Sequence, residues 1–224
     1  MLMLMAQELK NPWEDVAVNP ASSVLALFED NPFGSFEEMF FEQKLEWEPY
    51  ERTKLLEDLS NNPASSFDVR GRKPHYFEGS IARHQSANTV SFKINPDYLA
   101  TPDGIERALA YLGRWLKVLP RFTRGKATAD LRPSEYFFNQ GLEPLPEPFG
   151  SFLGWYTLMS RRGYEPYFAL EDLLKTPAHR VEELPDAAVA ITAYPDPFNF
   201  ESTESHRKIV ELTHFLNERR KDRK

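Results

Sequence analysis

Proline restricts this chain more than any other residue: eighteen prolines, spread through 224 residues, cut it into short elements. Each proline lacks a backbone donor, ends or kinks a helix, and is tolerated within a sheet only at an edge or a bulge. Most elements between them are therefore short, and no internal repeat or low-complexity linker is present. The chain exceeds a typical domain of roughly 100 to 150 residues yet is shorter than most two-domain proteins. One main domain is therefore expected over residues 61–224, with an acidic, aromatic-rich N-terminal segment, residues 1–60, packed on it. Seventeen Phe, nine Tyr and four Trp supply ample core material, so folding requires neither disulfide nor metal.

Between the prolines, two periodicities alternate. Val90, Phe92 and Ile94 share one face of a stretch whose other face carries Thr89, Ser91 and Lys93, which reads as a half-buried strand ending at Asn95-Pro96. Residues 76–84 suit its hairpin partner. Thr101 as cap and Pro102 at the first position open a helix over 101–119 whose buried stripe is Ile105, Leu109, Leu112, Trp115 or Leu116, and Leu119, closed by Pro120. Phe36, Phe40, Gln43 and Trp47, then Leu55, Leu56 and Leu59, suggest two helical stretches separated near Pro49.

Residues 121–150 hold four basic side chains and a proline-rich run, and read as an irregular surface excursion. The apolar stretch 152–159 suits a buried strand or a short helix equally. Residues 180–184 and 187–194 flank Pro185-Asp186 as a hairpin whose second, apolar arm is a central strand. Ser202 or Thr203 caps a last helix with Ile209, Leu212, Phe215 and Leu216 inward, and the basic residues after it are expected to fray. The sum is an α+β fold: an antiparallel sheet including residues 89–94 and 187–194, with the 101–119 helix packed on it.

Charge and composition then narrow the function. A net charge of −7 argues against a nucleic-acid binder that holds phosphates by a basic surface. The charge is uneven: residues 8–58 carry 13 acidic and 4 basic side chains, leaving the remainder slightly positive. The absence of cysteine excludes disulfides, thiolate zinc sites, iron–sulfur clusters and thiol nucleophiles, and fits a reducing compartment, so a cytoplasmic location is expected. The apolar start at Met1–Met5 has no basic region before it and is too short for a signal peptide or a spanning helix, and no membrane-binding helix is expected elsewhere.

No catalytic constellation can be assembled. None of the five histidines, at 75, 84, 179, 206 and 214, lies in a zinc motif, and a surface or capping role is expected of each. Asp30 with Glu42-Gln43-Lys44 loosely imitates the Mg²⁺ site of restriction-type nucleases, but that chemistry needs the Glu and Lys on a strand and this segment reads as helical. Gly150-Ser151-Phe152-Leu153-Gly154 does not centre its serine as a nucleophile elbow does, and no phosphate-cradling glycine motif exists. The expectation is a protein that is not an enzyme and takes no cofactor or metal.

What remains is a stretch where Phe33, Phe36, Phe40, Phe41 and Trp47 interleave with Glu37, Glu38, Glu42, Glu46 and Glu48. Its aromatics either pack on the main core beneath merely solvated carboxylates, or stand as anchors within a negative rim that meets a basic partner. Under the second reading Glu37, Glu38, Glu42, Glu46, Trp47 and Glu48 form the partner-binding surface.

A likeness sharpens this. Leu153-Gly154-Trp155-Tyr156-Thr157 with Ser160, then Arg180-Val181-Glu182-Glu183-Leu184-Pro185-Asp186 and its apolar strand, then Asp196-Pro197-Phe198-Asn199-Phe200 and the last helix, follow an order that resembles bacterial immunity proteins. These protect cells from type VI secretion and other polymorphic toxins. The chain resembles immunity protein family fifty-two over residues 75–216, and members of that family accompany toxins of restriction-endonuclease-like fold. The resemblance implies inhibition of a cognate toxin effector by occlusion of its active site or substrate path, without chemistry. The acidic N-terminal stretch has no counterpart in the family. Two other classes stand beside it: a structural or adaptor subunit of a secretion system, and a nuclease-like hydrolase.

Overall fold

The computed structural model describes residues 2–9, 21–41, 44–61, 66–73, 76–83, 87–118, 122–128 and 153–221. They form two compact units, Met1–Phe122 and Thr123–Lys224. Both are built on antiparallel strands with helices, giving the α+β class that the alternating periodicities imply.

The first unit comprises β1 (Leu2–Leu9), α1 (Ala21–Glu29), β2 (Glu38–Phe41), β3 (Trp47–Pro49), α2 (Arg52–Asn61), β4 (Phe67–Gly71), β5 (Phe77–Arg83), β6 (Ala87–Ile94), α3 (Pro96–Leu99) and α4 (Gly104–Val118). Its strands run in the order β3-β2-β4-β5-β6-β1, every neighbour antiparallel. Strict alternation places Met39, Phe41, Phe67, Val69, Phe77, Ile81, Val90, Phe92 and Ile94 on the buried face. The expected strand at 89–94 and its hairpin partner are thus β6 and β5.

Phe92 is fully buried at the centre of an aromatic cluster, with Phe33 at 5.2 Å, Tyr111 at 5.3 Å, and Phe28 and Phe77 both at 5.8 Å between ring centroids. Tyr111 brings α4 onto the sheet through Phe92. Its hydroxyl donates to the Leu27 carbonyl at 3.0 Å, which ties α4 to α1.

Three expectations in this unit change. The stretch around Phe36–Trp47 is not helical: its described residues form the β2 and β3 strands of a hairpin, and only the second stretch is a helix, α2. The four-residue spacing of Phe36 and Phe40 imitates a helix, but Met39 and Phe41 are the buried positions, a period of two imposed by pairing with β4. Thr101 does not cap α4. Its hydroxyl donates to the Tyr98 carbonyl at 2.5 Å, and the helix opens at Gly104 after Asp103, which adopts φ 62°. On α4 the buried stripe is Ala108, Tyr111, Leu112 and Trp115, while Ile105 and Leu109 are half-buried. The two rings fill more of the core than leucines could, and the Tyr111 hydroxyl that makes tyrosine look peripheral is satisfied internally. Leu116 as an alternative to Trp115, with Leu119 and Pro120, lies outside the side chains described.

The second unit comprises β7 (Phe122–Thr128), β8 (Tyr156–Met159), α5 (Arg161–Tyr164), α6 (Leu170–Leu174), β9 (Arg180–Leu184), β10 (Ala188–Thr192) and α7 (Thr203–Glu218). The strand order is β7-β8-β10-β9, all antiparallel. β10 has a neighbour on each side and buries Ala188, Val189, Ala190 and Ile191, as its apolar sequence requires. The ambiguous stretch 152–159 resolves as strand β8. Part of the expected excursion is strand β7, whose alternation Gly125, Lys126, Ala127 is too short to outweigh the surrounding breakers on sequence alone.

Ser202 caps α7, its Oγ accepting from the Ser205 N–H at 3.1 Å. The residues just after α7 do not fray as far as Lys221: Arg219 donates to the Phe215 carbonyl at 3.2 Å, and the Lys221 N–H donates to the Tyr167 carbonyl at 2.9 Å. Arg223 and Lys224 lie outside the described residues.

Candidate protein-binding site

β3 is an edge strand, and with β2 it carries three of the six residues singled out for partner binding, Glu38, Trp47 and Glu48; Glu37 immediately precedes β2, Glu46 immediately precedes β3, and Glu42 lies outside the described residues. The hairpin is extended at its open end, where the Glu37 N–H donates to the Arg70 carbonyl and the Tyr50 N–H to the Glu37 carbonyl, both at 2.9 Å. Antiparallel pairing sets Trp47 opposite Phe40 and Glu38 opposite Arg70.

The carboxylates separate into two kinds. Glu38 accepts from Arg70 Nε at 2.6 Å and from Arg72 Nη2 at 2.9 Å. The Arg70 hydrogen bond holds its carboxyl below the ordinary value near 4.5. Glu48 meets Lys54 at 2.8 Å and Lys44 at 3.7 Å, and the Lys54 bond lowers its pKa likewise. Glu37 and Glu46 are exposed and form no ion pair with a described residue.

Trp47 is half-buried. The Arg70 guanidinium lies 3.7 Å from its ring centroid and the Phe40 ring 5.6 Å away. Arg70 therefore stacks on an aromatic and pairs with Glu38 at once, a dual use that suits its flat, delocalised cation. Farther along the same row, Glu78 pairs with Lys93 and accepts from the Tyr76 hydroxyl at 2.6 Å. Burial opposes ionisation of Glu78, yet these bonds bring its pKa below the ordinary value, while burial and the Glu78 bond push Tyr76 up to about 12.

Sequence reasoning found the acids and the tryptophan but missed the cations that answer them. Lys44 and Glu48 stand four residues apart, the one local hint of a pairing, whereas Lys54 with Glu48 and Lys44 with Asp58 meet only because α2 packs by the hairpin. Lys44 reaches Asp58 at 2.5 Å. Arg70 and Arg72 are separated by over thirty residues from Glu38, and no local pattern foretells them.

Of the nuclease-like constellation, Glu42 and Gln43 lie outside the described residues, while Asp30 receives Arg114 at 2.5 Å and Lys44 goes to Asp58. His206 is buried on α7 and His214 is exposed, whereas His75 and His84 lie outside the described residues, as do Ser151, Arg121 and Arg132. Among the described residues no group of three or more His, Asp or Glu side chains could hold a metal ion, and no helix is long and apolar enough to cross a membrane.

What fold and hairpin together define is an α+β protein with an edge β-hairpin presenting aromatic, acidic and paired charged groups. The chain matches no protein-family model and no curated protein sequence. Among solved structures it is similar to the Pseudomonas aeruginosa T6SS protein PA0821, with a TM-score of 0.56 and 16% identity, over 96% of this chain and 72% of that one. At that identity the likeness is one of fold.

Proposed function

We propose that this chain is a T6SS-associated immunity protein: it binds a cognate toxin effector, a nuclease, in the cytoplasm and blocks its active site or the approach of its substrate, contributing no chemistry. The observation that carries the reading is the fold likeness to the T6SS protein PA0821 over 96% of the chain. No family model matches, so the likeness of residues 75–216 to immunity protein family fifty-two rests on its short residue strings alone. The β2–β3 hairpin is the contact surface. Glu37 and Glu46 are exposed to meet cations of a basic nuclease surface, which steers encounter, while Glu38 and Glu48 act within the internal ion pairs that keep the hairpin in shape.

The test is co-expression with the toxin encoded beside this chain, scored by survival and by affinity at several salt concentrations. Wild type protects and binds, and a folded Glu37→Gln, Glu46→Gln variant loses affinity mainly at low salt. A wild-type chain that neither binds nor protects removes the immunity reading. Stable assembly with secretion-apparatus components and no protection would put an adaptor role in its place.

A further inference from the structure

At the turn between β2 and β3, Leu45 is 79% exposed, the most exposed large apolar side chain among the described residues. Single exposed leucines are ordinary. This one also adopts φ 59°, a left-handed conformation that crowds any residue with a Cβ and that a glycine or asparagine would hold without cost. Neither burial nor backbone preference is served by a leucine here.

The strained geometry is enforced from both sides. The Phe41 carbonyl accepts the N–H of Lys44 at 2.9 Å and of Leu45 at 3.4 Å. The Lys44 ammonium is drawn to Asp58 on α2 at 2.5 Å and to Glu48 on β3 at 3.7 Å. The turn is thus clamped to the helix beneath it, and Leu45 projects from a fixed base instead of folding back onto apolar surface. Strain maintained by such over-determination is a mark of a functional position, and a side chain fixed in advance loses little freedom on binding. The next residue, Glu46, is exposed and forms no ion pair with a described residue.

We propose that Leu45 is the apolar anchor of the effector interface, entering an apolar pocket on the effector that carries a basic group at its rim to meet Glu46. This rests on the reading of the chain as an effector-binding protein and names an exposed contact residue for that binding. Trp47, ring-paired with Phe40 at 5.6 Å on the same hairpin, is a second, half-buried contact.

The test uses the full chain and the effector encoded beside it, with wild type, Leu45→Gly, Leu45→Ala and, as an exposed leucine away from the hairpin, Leu174→Ala. The expected result is that both Leu45 variants bind about tenfold or more weakly while Leu174→Ala binds as wild type. Leu45→Gly should melt no lower than wild type, because glycine relieves the left-handed strain. Wild-type affinity in both Leu45 variants would overturn the anchor and leave the immunity reading standing. A Leu45→Gly chain that melts well below wild type would overturn it too, since the leucine would then be structural. A wild-type chain that does not bind the effector brings down both readings together.

Discussion

Replacing Trp47 with alanine separates an anchor from a core residue, because the two roles predict different losses of stability. Truncating a fully buried aromatic costs about 3–5 kcal/mol through lost transfer energy and the cavity left behind. Trp47 keeps partial exposure, so somewhat less than that, about 2–4 kcal/mol, is expected. The stack of Arg70 at 3.7 Å supplies about 0.5–1 kcal/mol of it, and the ring pair with Phe40 at 5.6 Å about 0.5–1.5 kcal/mol. Phe92→Ala, at the fully buried centre of the aromatic cluster, is the reference and should lose the full amount. Urea unfolding followed by far-ultraviolet circular dichroism measures both without depending on the removed tryptophan's fluorescence. In parallel, the affinity of the folded Trp47→Ala chain for the effector should fall by about 2 kcal/mol or more. A stability loss equal to that of Phe92→Ala would make Trp47 a core residue. No loss at all would mean that the stack with Arg70 does not hold the hairpin, and either result refutes the reasoning.

Two glycines should respond in opposite directions. A methyl at Gly71 would meet Phe77 Cζ and the Ser35 carbonyl oxygen, each at 2.4 Å, so Gly71→Ala should destabilise by about 1–3 kcal/mol or prevent folding, whereas Gly113→Ala on α4, with nothing within 4 Å, should stabilise by about 0.5–1 kcal/mol; thermal melting of both checks this. Ser202→Ala removes the cap of α7 and should cost about 1 kcal/mol in urea unfolding, with Ser202→Gly costing less. Glu38, Glu48 and Glu78 are all held below the ordinary carboxylate value near 4.5, so their contribution is fully present above that value and is lost as pH falls through the lowered values. Unfolding measured from pH 7 to 3 should show the loss beginning below about pH 4.5, and Glu38→Gln should flatten part of the slope.

Local pattern alone determined much of this protein. The alternation Val90-Phe92-Ile94, the apolar run at 188–192 between turn residues and the Ser202 cap each need only near neighbours, so strands β6 and β10, the β9–β10 hairpin and helix α7 were legible before any fold was known. The α+β class followed from these and from the prolines that keep elements short. Tertiary structure alone decided the rest. Phe36 and Phe40 have a helical spacing, and it took pairing of β2 with β4 to make their segment a strand. Tyr111 took the place of Ile105 and Leu109 among the main contacts of α4 because the distant Phe92 ring and the Leu27 carbonyl receive it. The acidic stretch was visible as composition, but which of its carboxylates are spent on internal cations depends on Arg70 and Arg72, brought across by sheet register. Leu45 carried no signal at all. Periodicity reports side chains that face a common core, and this one is defined by facing none and by a backbone angle that only its clamped turn imposes.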